Sequence, residues 1–358
     1  MKKALKVLLI VLGVIVALVI LLFGYLTATQ LNTKTAGAEL IHSEASDEGY
    51  AAGDTVSILS WNIGYAGLGE NEDFFMDGGT MVRPDSRETV EKYLSGIIET
   101  LENADTDFYM LQEVDRLKST RTYGVIETER IASALGYDSA FAFNYKCDFV
   151  PFPWPPLGKI GSGIFTLSSS PIEAAERIAL PSPFTWPVSV ANLKRCMMPS
   201  YIELEGTDAQ LVLVNVHLEA YDSGEGKIAQ TKVLLEFIRS EYEKGNYVIV
   251  GGDFNQTFPG ALEKYPMLDP SLWTPGTLEN DILPDGWSFA YDIQTPTCRL
   301  LNKPYDAADP DTQYYVIDGF ILSPNVELVS VETRDMGFEN SDHNPVLMDV
   351  RLKPLAFS

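Results

Sequence analysis

Short apolar runs and longer amphipathic stretches alternate along the chain from Val56 onward. The apolar runs are only a few residues long and are rich in β-branched and aromatic residues, which predicts β-strands. Several of these runs end in a cluster of polar residues instead of an ordinary turn. The predicted strands cover residues 57–63, 108–114, 161–167, 211–218, 247–254, 313–322 and 345–352.

Two of the amphipathic stretches are interpreted as helices. The first covers residues 86–103, with Asp85 and Glu88 placed for a capping box at its start. The second covers residues 226–244 and separates two of the predicted strands. Strands and helices mixed within one long domain predict an α/β (α+β) fold, with packed sheets and helices on their outer faces.

The first hydrophobic segment is different, because residues 7–26 run for twenty positions without a charge. At about 1.5 Å per residue, such a helix spans roughly 30 Å of hydrocarbon, which predicts a transmembrane helix. Lys2, Lys3 and Lys6 precede it and no comparable basic cluster follows closely, so the positive-inside bias places the rest of the chain outside the cytoplasm. A cleaved secretory signal is the alternative, although its apolar stretch is usually shorter.

This segment divides the chain into four parts. Residues 1–6 are expected in the cytoplasm, residues 7–26 in the membrane, and residues 27–53 in an extracytoplasmic linker without fixed structure. The remaining residues, 54–358, are enough for one large domain with a substantial core.

Two stretches are predicted as surface loops near a site: residues 70–84, with FFMDGG at their middle, and residues 144–159, which contain PFPWPP. Phe149, Phe152 and Trp154 in the second loop offer an exposed aromatic surface for a lipid, a sugar or a partner. A loop folded onto its own domain is the alternative. The prolines that rule out a helix there are Pro151, Pro153, Pro155 and Pro156.

The composition adds two constraints. The chain has 50 acidic and 26 basic residues, a formal net charge of −24, and this field opposes tight binding of a polyanion such as nucleic acid. A local basic patch could oppose that average, and its members would be Lys146, Lys159, Lys194 and Arg195. The cysteines are odd in number and lack metal-ligand spacing, so we expect buried apolar side chains at Cys147, Cys196 and Cys298.

Polar residues with catalytic chemistry lie at or just beyond the ends of the predicted strands. Each is a weak signal by itself, because a carboxylate or an amide after a strand is usually part of a turn. Together they are informative, because strands that end along one edge of a sheet can bring such groups to one place. They are Asn62, Glu113, His217, Asp253, Asn255, Asp318, Asp342 and His343.

The acidic members of this set would repel each other in one site unless a cation lay between them. Carboxylate and amide oxygens without thiolates suit a hard ion such as Mg²⁺, which commonly binds through one or two carboxylates and a substrate phosphate. We therefore expect Mg²⁺ as the cofactor, with Mn²⁺ as a substitute, and a phosphoester substrate.

Two of the three histidines in the chain, His217 and His343, belong to these polar clusters. Imidazole exchanges a proton near neutral pH, and a neighbouring carboxylate fixes its tautomer and supports its charged form. The alternative is that both are buried structural histidines. His42 lies in the predicted linker and has no predicted role.

In these motifs the sequence resembles the endonuclease/exonuclease/phosphatase (DNase I-like) superfamily, as a membrane-anchored, bacterial-type member. The matching parts occur in family order from residue 56 to about residue 352: a strand containing WN, then LQEV, an H-L pair, GDFN and a terminal SDH-P. Their joint occurrence is much more specific than any one of them. The resemblance implies a four-layered α/β sandwich of two packed mixed or antiparallel sheets flanked by helices.

The resemblance also implies a metal and phosphate environment. Glu113 would bind Mg²⁺, and Asn62 and Asp342 would help to hold the metal. His217 would contact the phosphoryl oxygens, and Asn255 would donate a hydrogen bond to the developing negative charge.

Proton transfer is implied for a second group of residues. Asp253 would orient or deprotonate the attacking water, and His343 is the principal acid/base candidate. Asp318 would position a histidine or a water-bound metal. The choice of general base between His343 and Asp253 stays open.

One departure from the family pattern bears on the substrate. Many nuclease members have a second carboxylate two residues after WN, where this chain has Gly64, and this favours a function other than DNA repair. Arg121 and Arg195 are candidate phosphate contacts because guanidinium groups match phosphate oxygens, although charged surface residues are the alternative.

Three functions follow from these observations. The first is Mg²⁺-dependent hydrolysis of an extracytoplasmic phosphodiester or phosphomonoester, for example a lipid headgroup, by a domain held at the membrane. The second is a surface nuclease, which the acidic charge and Gly64 disfavour. The third is a non-catalytic binding module, which has no need for the complete set of strand-end residues.

Overall fold

A computed structural model describes residues 2–41 and 49–354. His42 and the middle of the predicted linker therefore lie outside the described residues. The chain begins with helix α1 (Lys2–Thr29). This helix is long and apolar enough to cross a membrane, although a signal sequence can have the same length and composition. Its large apolar side chains between residues 7 and 21 are all exposed.

The remaining helices and the strands follow in chain order. The helices are α2 (Arg87–Ala104), α3 (Glu127–Leu135), α4 (Glu225–Glu243) and the short α5 (Ala261–Lys264). The strands are β1 (Glu39–Ile41), β2 (Tyr50–Ala51), β3 (Thr55–Asn62), β4 (Phe108–Asp115), β5 (Asp138–Val150), β6 (Gly158–Ser168), β7 (Ala174–Ala175), β8 (Ile178–Ala179), β9 (Cys196–Glu205), β10 (Gln210–His217), β11 (Tyr247–Asp253), β12 (Gln256–Thr257), β13 (Gly276–Thr277), β14 (Ser288–Ala290), β15 (Cys298–Arg299), β16 (Tyr314–Tyr315), β17 (Asp318–Leu322), β18 (Val326–Thr333) and β19 (Val346–Leu352).

Two large sheets organise the described part of the chain. The first has the order β1-β5-β6-β4-β3-β19-β18, and its pairs are antiparallel except for the central β3 and β4. The second has the order β14-β17-β11-β10-β9-β2, with β7 and β8 also paired to β9, and β10 and β11 are parallel at its centre. Each sheet therefore has a parallel pair whose strands end at the same edge.

The sheets pack face to face and the helices cover their outer faces. Apolar side chains of both sheets, such as Ile58, Met110, Leu213 and Phe320, form the core between them. The outer face of the first sheet packs against α2 and α3, and that of the second packs against α4. This arrangement confirms the predicted four-layered α/β sandwich.

Several local predictions need correction. The described part of the predicted linker, residues 27–41 and 49–53, is not without structure, because it completes α1 and contributes β1 and β2 to the two sheets. Residues 144–150 were predicted as loop but continue β5, so the loop itself covers only residues 151–157. The strand predicted at residues 313–322 is divided into β16 and β17, with residues 316 and 317 between them.

The start of α2 also differs from the prediction by one residue. Ser86, not Asp85, is the N-cap residue, and its hydroxyl accepts a hydrogen bond from the backbone N–H of Thr89 at 3.1 Å. Its extended backbone conformation is the geometry that a cap requires. The predicted capping box between Asp85 and Glu88 is therefore wrong, although the helix itself is confirmed.

Candidate active site

The topology brings the strand-end residues to one edge of the sandwich. Asn62 ends β3, and the partner of Asn62 across the parallel pair is Gln112, the residue before Glu113. In the second sheet, His217 pairs with Asp253 at the ends of β10 and β11. Because both parallel pairs end at the same edge, polar side chains from both sheets meet there.

Antiparallel neighbours complete the set. Asp318 begins β17 directly opposite Asp253, and the segment with Asp342 and His343 enters β19 beside the end of β3. The hydroxyl of Ser341 fixes that segment, because it donates to the carbonyl of Asn62 at 2.8 Å and accepts from the backbone N–H of His343 at 3.2 Å. All eight predicted residues thus lie at this edge.

His343 and Asp318 form the most direct side-chain contact of the site. The Nδ1 atom of His343 lies 2.8 Å from Oδ2 of Asp318, and both side chains are buried. The other ring nitrogen, Nε2, lies 3.9 Å from Oδ2 of Asp253 and 3.8 Å from Oδ2 of Asp342. A carboxylate on Nδ1 fixes the ring and leaves Nε2 for proton exchange.

Asp253 lies between the two histidines. Its Oδ2 accepts a hydrogen bond from Nδ2 of Asn62 at 3.1 Å and is 3.5 Å from Nε2 of His217. Its Oδ1 accepts from the backbone N–H of Asn255 at 2.8 Å. Nε2 of His217 is also 3.8 Å from Oε1 of Glu113, so a chain of contacts joins Glu113 to His343.

Two details of backbone geometry affect the predicted roles. Glu113 has a φ of 58° and lies at an irregularity between β4 and β6, and Asn255 has a φ of 50°. Left-handed backbone at non-glycine residues is unfavourable and is found mostly at functional sites. The side-chain amide of Asn255 donates to the carbonyl of Leu218 at 2.9 Å, so one of its two N–H groups already has a partner.

The electrostatics of the site follow from its burial. Burial and the nearby Asp342 raise the pKa of Glu113 to about 7, and burial and Asp318 raise the pKa of Asp253 to about 6. For His343, burial opposes the charged form, but Asp318 and its other neighbours raise the pKa well above its ordinary value. Carboxylates with raised pKa values in one cavity are groups that a cation would stabilise.

The pKa of the second histidine, His217, is shifted in the opposite direction. Burial, followed by the charges of Arg195 and His343, lowers the pKa of His217 well below its ordinary value, so its imidazole is neutral at pH 7. The pKa values of the two histidines are therefore shifted in opposite directions although both rings are buried. His343 has a carboxylate 2.8 Å from a ring nitrogen, whereas the carboxylates nearest to His217 lie 3.5 Å and 3.8 Å from its Nε2.

The donor set favours oxygen ligands for a metal. Asp253, Asp318 and His343 place ligand atoms within 4.8 Å of one another, as do Cys298, Asp342 and His343. Burial raises the pKa of Cys298 to about 12, so this thiol is neutral and the second group is a poor thiolate site. Oδ1 of Asp318 is buried and has no hydrogen-bond partner among the described residues.

The site opens into a cavity of about 590 Å³. Seven of the eight predicted strand-end residues line it and form its floor, and loop residues form its walls. Asp318 is not part of this lining and contacts the ring of His343 instead. Arg121 and Arg195 both line the cavity and are largely buried, so the alternative of exposed surface charges is wrong for them. The guanidinium group of Arg121 donates hydrogen bonds to Asp115 and Ser162. Its central carbon lies 3.1 Å from the centre of the Tyr65 ring.

The comparisons with known proteins agree with this geometry. The profile of the endonuclease/exonuclease/phosphatase family matches residues 59–343. The chain belongs to this family. Members of the family are phosphoester hydrolases and generally use divalent metal ions. A search of curated protein sequences finds no significant match.

Solved structures share the fold of this family member. A Beutenbergia cavernae endonuclease/exonuclease/phosphatase is 19% identical, with a TM-score of 0.59, over 84% of this chain and 73% of that chain. ANGEL2, described as a 2′,3′-cyclic phosphatase, is 16% identical, with a TM-score of 0.54, over 85% of this chain and 97% of that chain. D. rerio TDP2, solved with a single-strand DNA product, is 17% identical, with a TM-score of 0.50, over 83% of this chain and 99% of that chain.

The departure at Gly64 has a structural reason in this family member. Gly64 has a φ of 54°, and a Cβ there would lie 2.9 Å from Oδ1 of Asp342 and 3.0 Å from Cβ of Leu68. Both the backbone conformation and the crowding disfavour a side chain. A carboxylate at position 64 is therefore incompatible with this arrangement of Asp342.

Sequence reasoning missed one polar pair in the cavity. The hydroxyl of Tyr221 donates to Oδ1 of Asp77 at 3.0 Å, and both residues line the cavity. Burial raises the pKa of Asp77 to about 6. Asp77 lies in the loop at residues 70–84 that was predicted near the site, and Tyr221 lies four residues after His217. Only this closeness in sequence to predicted site features indicated that the two residues could belong to the site.

Proposed function

We propose that this chain is an Mg²⁺-dependent phosphoester hydrolase whose active site is the cavity at the strand ends. The observation that carries the proposal is the continuous set of contacts from Glu113 through His217 and Asp253 to His343 and Asp318. Family membership supports the reaction class, and the geometry supports the particular residues.

Mg²⁺ is the metal that the donor set fits best. We assign it to Glu113, with Asn62 and Asp342 at its side, because oxygen donors suit a hard ion and the thiol of Cys298 is neutral. The raised pKa of Glu113, caused by burial and Asp342, supports a cation between these two carboxylates. A bound Mg²⁺ would stabilise negative charge on the phosphoryl group.

His343 is the general base in this proposal. Its Nδ1 contact with the buried Asp318 supports the protonated ring, and Nε2 faces Asp253 and the cavity. Asp253 would then hold the attacking water beside Nε2 instead of accepting its proton. A histidine held by a carboxylate in this way is the usual arrangement for abstracting a proton near neutral pH.

Phosphate binding is assigned to the remaining polar groups. His217 is neutral and can donate one hydrogen bond to a phosphoryl oxygen, and the free N–H of Asn255 can donate another. Arg121 and Arg195 supply positive charge from the cavity wall.

We further propose that α1 spans the membrane and that the folded domain lies outside the cytoplasm. The exposed apolar residues of α1 and the three lysines at its start support this topology. Such a membrane-anchored, bacterial-type protein would act on small phosphoesters or on lipid headgroups. The net charge of −24 opposes a nuclease function.

The test uses the purified full chain in phospholipid nanodiscs. Mg²⁺-dependent hydrolysis of bis-nitrophenyl phosphate is expected, and chelation of the metal should abolish it. Glu113→Gln should lower turnover by roughly a hundredfold. Glu327→Gln, at an exposed position of β18, is the matched control and should leave turnover unchanged.

The same assay separates the alternatives. Plasmid DNA and a nitrophenyl phosphomonoester are tested beside the diester. Cleavage of DNA alone would favour a surface nuclease. Absence of metal-dependent turnover on all three substrates would favour a binding module and would contradict the proposal.

A further inference from the structure

An exposed aromatic surface borders the cavity. Phe152 and Trp154, in the loop between β5 and β6, are 77% and 88% exposed, and Trp186 and Val188 on a neighbouring loop are 63% and 58% exposed. We call these four residues the aromatic lip. Large apolar side chains exposed together usually mark a surface that contacts a partner or a membrane.

The two loops of the lip share one supporting cluster. Val150 and Ile160, at the ends of the strands that flank the first loop, pack with Val190 of the second loop. The hydroxyl of Tyr145 on β5 donates to the carbonyl of Ala191 at 2.8 Å. The lip is therefore one supported surface and not two independent loops.

The end of α1 packs against the same cluster. Leu26 is buried in it, and Leu22 and Phe23 pack at its edge. The hydroxyl of Tyr25 donates to Oδ2 of Asp148 at 2.8 Å, just before the first loop of the lip. The domain is thus held against the last turns of the apolar stretch, residues 22–26.

Trp186 joins the lip directly to this helix. Its Nε1 donates to Oγ1 of Thr27 at 3.1 Å, and its ring meets the ring of Phe23 at a centroid distance of 6.5 Å. Thr27 follows the uncharged segment, so Trp186 lies at the level where a spanning helix leaves the hydrocarbon. Tryptophan is enriched at this level because its ring is apolar and its N–H is polar.

The lip is also continuous with the active-site cavity. Phe152 of the lip lines the cavity, together with Val150, Leu157 and Phe184 beside it. The apolar wall of the cavity therefore reaches the surface at the lip, on the side of the domain where α1 ends. The same cavity also contains the polar floor.

We propose that the aromatic lip inserts into the outer interface of the bilayer that α1 spans, so that the cavity opens on the membrane surface. This inference rests on the membrane topology of the proposed function. The occupant is a lipid bilayer, because the lip continues the surface of the helix that enters it. Exposed Lys146 and Lys159 on the two flanking strands can contact lipid phosphates.

This placement deepens the proposed function. A phosphoester that enters the cavity past the lip would keep its apolar part against Phe152 and Leu157, and its phosphate would reach the polar floor. The substrate class is then a phosphoester presented by the bilayer. Soluble phosphoesters would reach the same floor without contact with the lip.

Tryptophan fluorescence tests the insertion without any need for turnover. The full chain is placed in phosphatidylcholine nanodiscs whose acyl chains carry bromine near the headgroup, which quenches nearby tryptophans. The chain has five tryptophans, and Trp61 and Trp287 are buried. We expect bromolipid to quench the native protein, and Trp154→Phe to remove a large part of that quenching.

A matched control places a tryptophan on the far edge of the same sheet. Val329 on β18 is 53% exposed, and β18 lies at the opposite end of the sheet order from β5. In the Trp154→Phe background, Val329→Trp should be quenched by aqueous iodide and not by bromolipid. Trp154 itself should be protected from iodide in nanodiscs.

Two results would overturn the inference, and a third would separate it from the hydrolase proposal. Trp154 that is quenched by iodide and not by bromolipid would place the lip in water. Protection from iodide that appears only when two chains share one nanodisc would assign the lip to a second copy. An inactive protein whose Trp154 is quenched by bromolipid would contradict the hydrolase proposal and support the insertion.

Discussion

The floor and the apolar wall of the cavity are built in different ways. The floor consists of side chains at the ends of paired strands, where His343 contacts Asp318 at 2.8 Å and lies 3.9 Å from Asp253. The wall consists of loop residues such as Leu157 and the exposed Phe152, and Leu157 packs against the cluster of Val150, Ile160 and Val190. Strand ends hold side-chain positions within narrow limits, so the floor is suited to catalysis. Loops vary more in structure and sequence, so the wall is suited to substrate selection.

The largest effect is expected from a change in the floor. His343→Ala removes the proposed base, and turnover of bis-nitrophenyl phosphate should fall by about a thousandfold. The unfolding temperature should also fall, because the buried Asp318 loses its partner, so turnover is compared at a temperature where both proteins are folded. Asp349→Asn, on β19, is the control with unchanged turnover. Less than a tenfold loss would exclude His343 as the base.

A smaller effect is expected from a change at Arg121, which lines the cavity. Arg121→Lys retains a positive charge but loses the planar group that bonds Asp115 and Ser162 and stacks on Tyr65. The KM for a soluble phosphodiester should rise by roughly tenfold, with a smaller change in kcat. Arg130→Lys, in an exposed pair with Glu91, controls for the general effect of the substitution. A loss in kcat alone would contradict a phosphate-binding role.

The aromatic lip, which borders the wall, should affect only substrates in a bilayer. Trp154→Ser should lower turnover of an alkylated nitrophenyl phosphodiester in vesicles by roughly threefold. Turnover of bis-nitrophenyl phosphate in solution should stay unchanged, because Trp154 is not among the residues that line the cavity. Ile228→Ser is the control, since Ile228 on α4 is also exposed. Equal losses on both substrates would remove the distinction between floor and wall.

The smallest effect concerns stability and pH. The pKa of Glu113 is about 7 and that of Asp253 about 6, both raised first by burial, so the folded protein binds more protons than the unfolded chain between about pH 4 and 7. Stability without metal should therefore fall as the pH rises through this range. Mg²⁺ should raise the unfolding temperature by roughly 3 °C more at pH 8 than at pH 5. An equal shift at both pH values would argue against a carboxylate site.

The floor was predictable from the sequence because its residues follow recognisable strands in a fixed order. Asn62 and Glu113 end one parallel pair and His217 and Asp253 end the other, so the fold class alone brings them to one edge. The sequence did not decide between His343 and Asp253 as the base. The 2.8 Å contact of His343 with Asp318, which favours His343, depends on the register of β17 against β11.

The wall was predicted only as a loop near a site. Its shape depends on contacts between distant segments, such as those of Val150 with Val190 and of Trp186 with Thr27, and no local pattern encodes them. The Asp77–Tyr221 pair was missed for the same reason, because its partners are 144 positions apart. The exposure of Phe152 and Trp154 was expected, but their position beside the end of α1 was not.

The central claim is that Glu113 and Asp342, at the strand ends of the first sheet, hold one divalent cation at the cavity floor. Anomalous diffraction from crystals soaked in Mn²⁺ tests it most directly. The account predicts one Mn²⁺ peak in the cavity, roughly 2.1 Å from a carboxylate oxygen of Glu113. No peak in the cavity, or a peak remote from Glu113, would contradict the account.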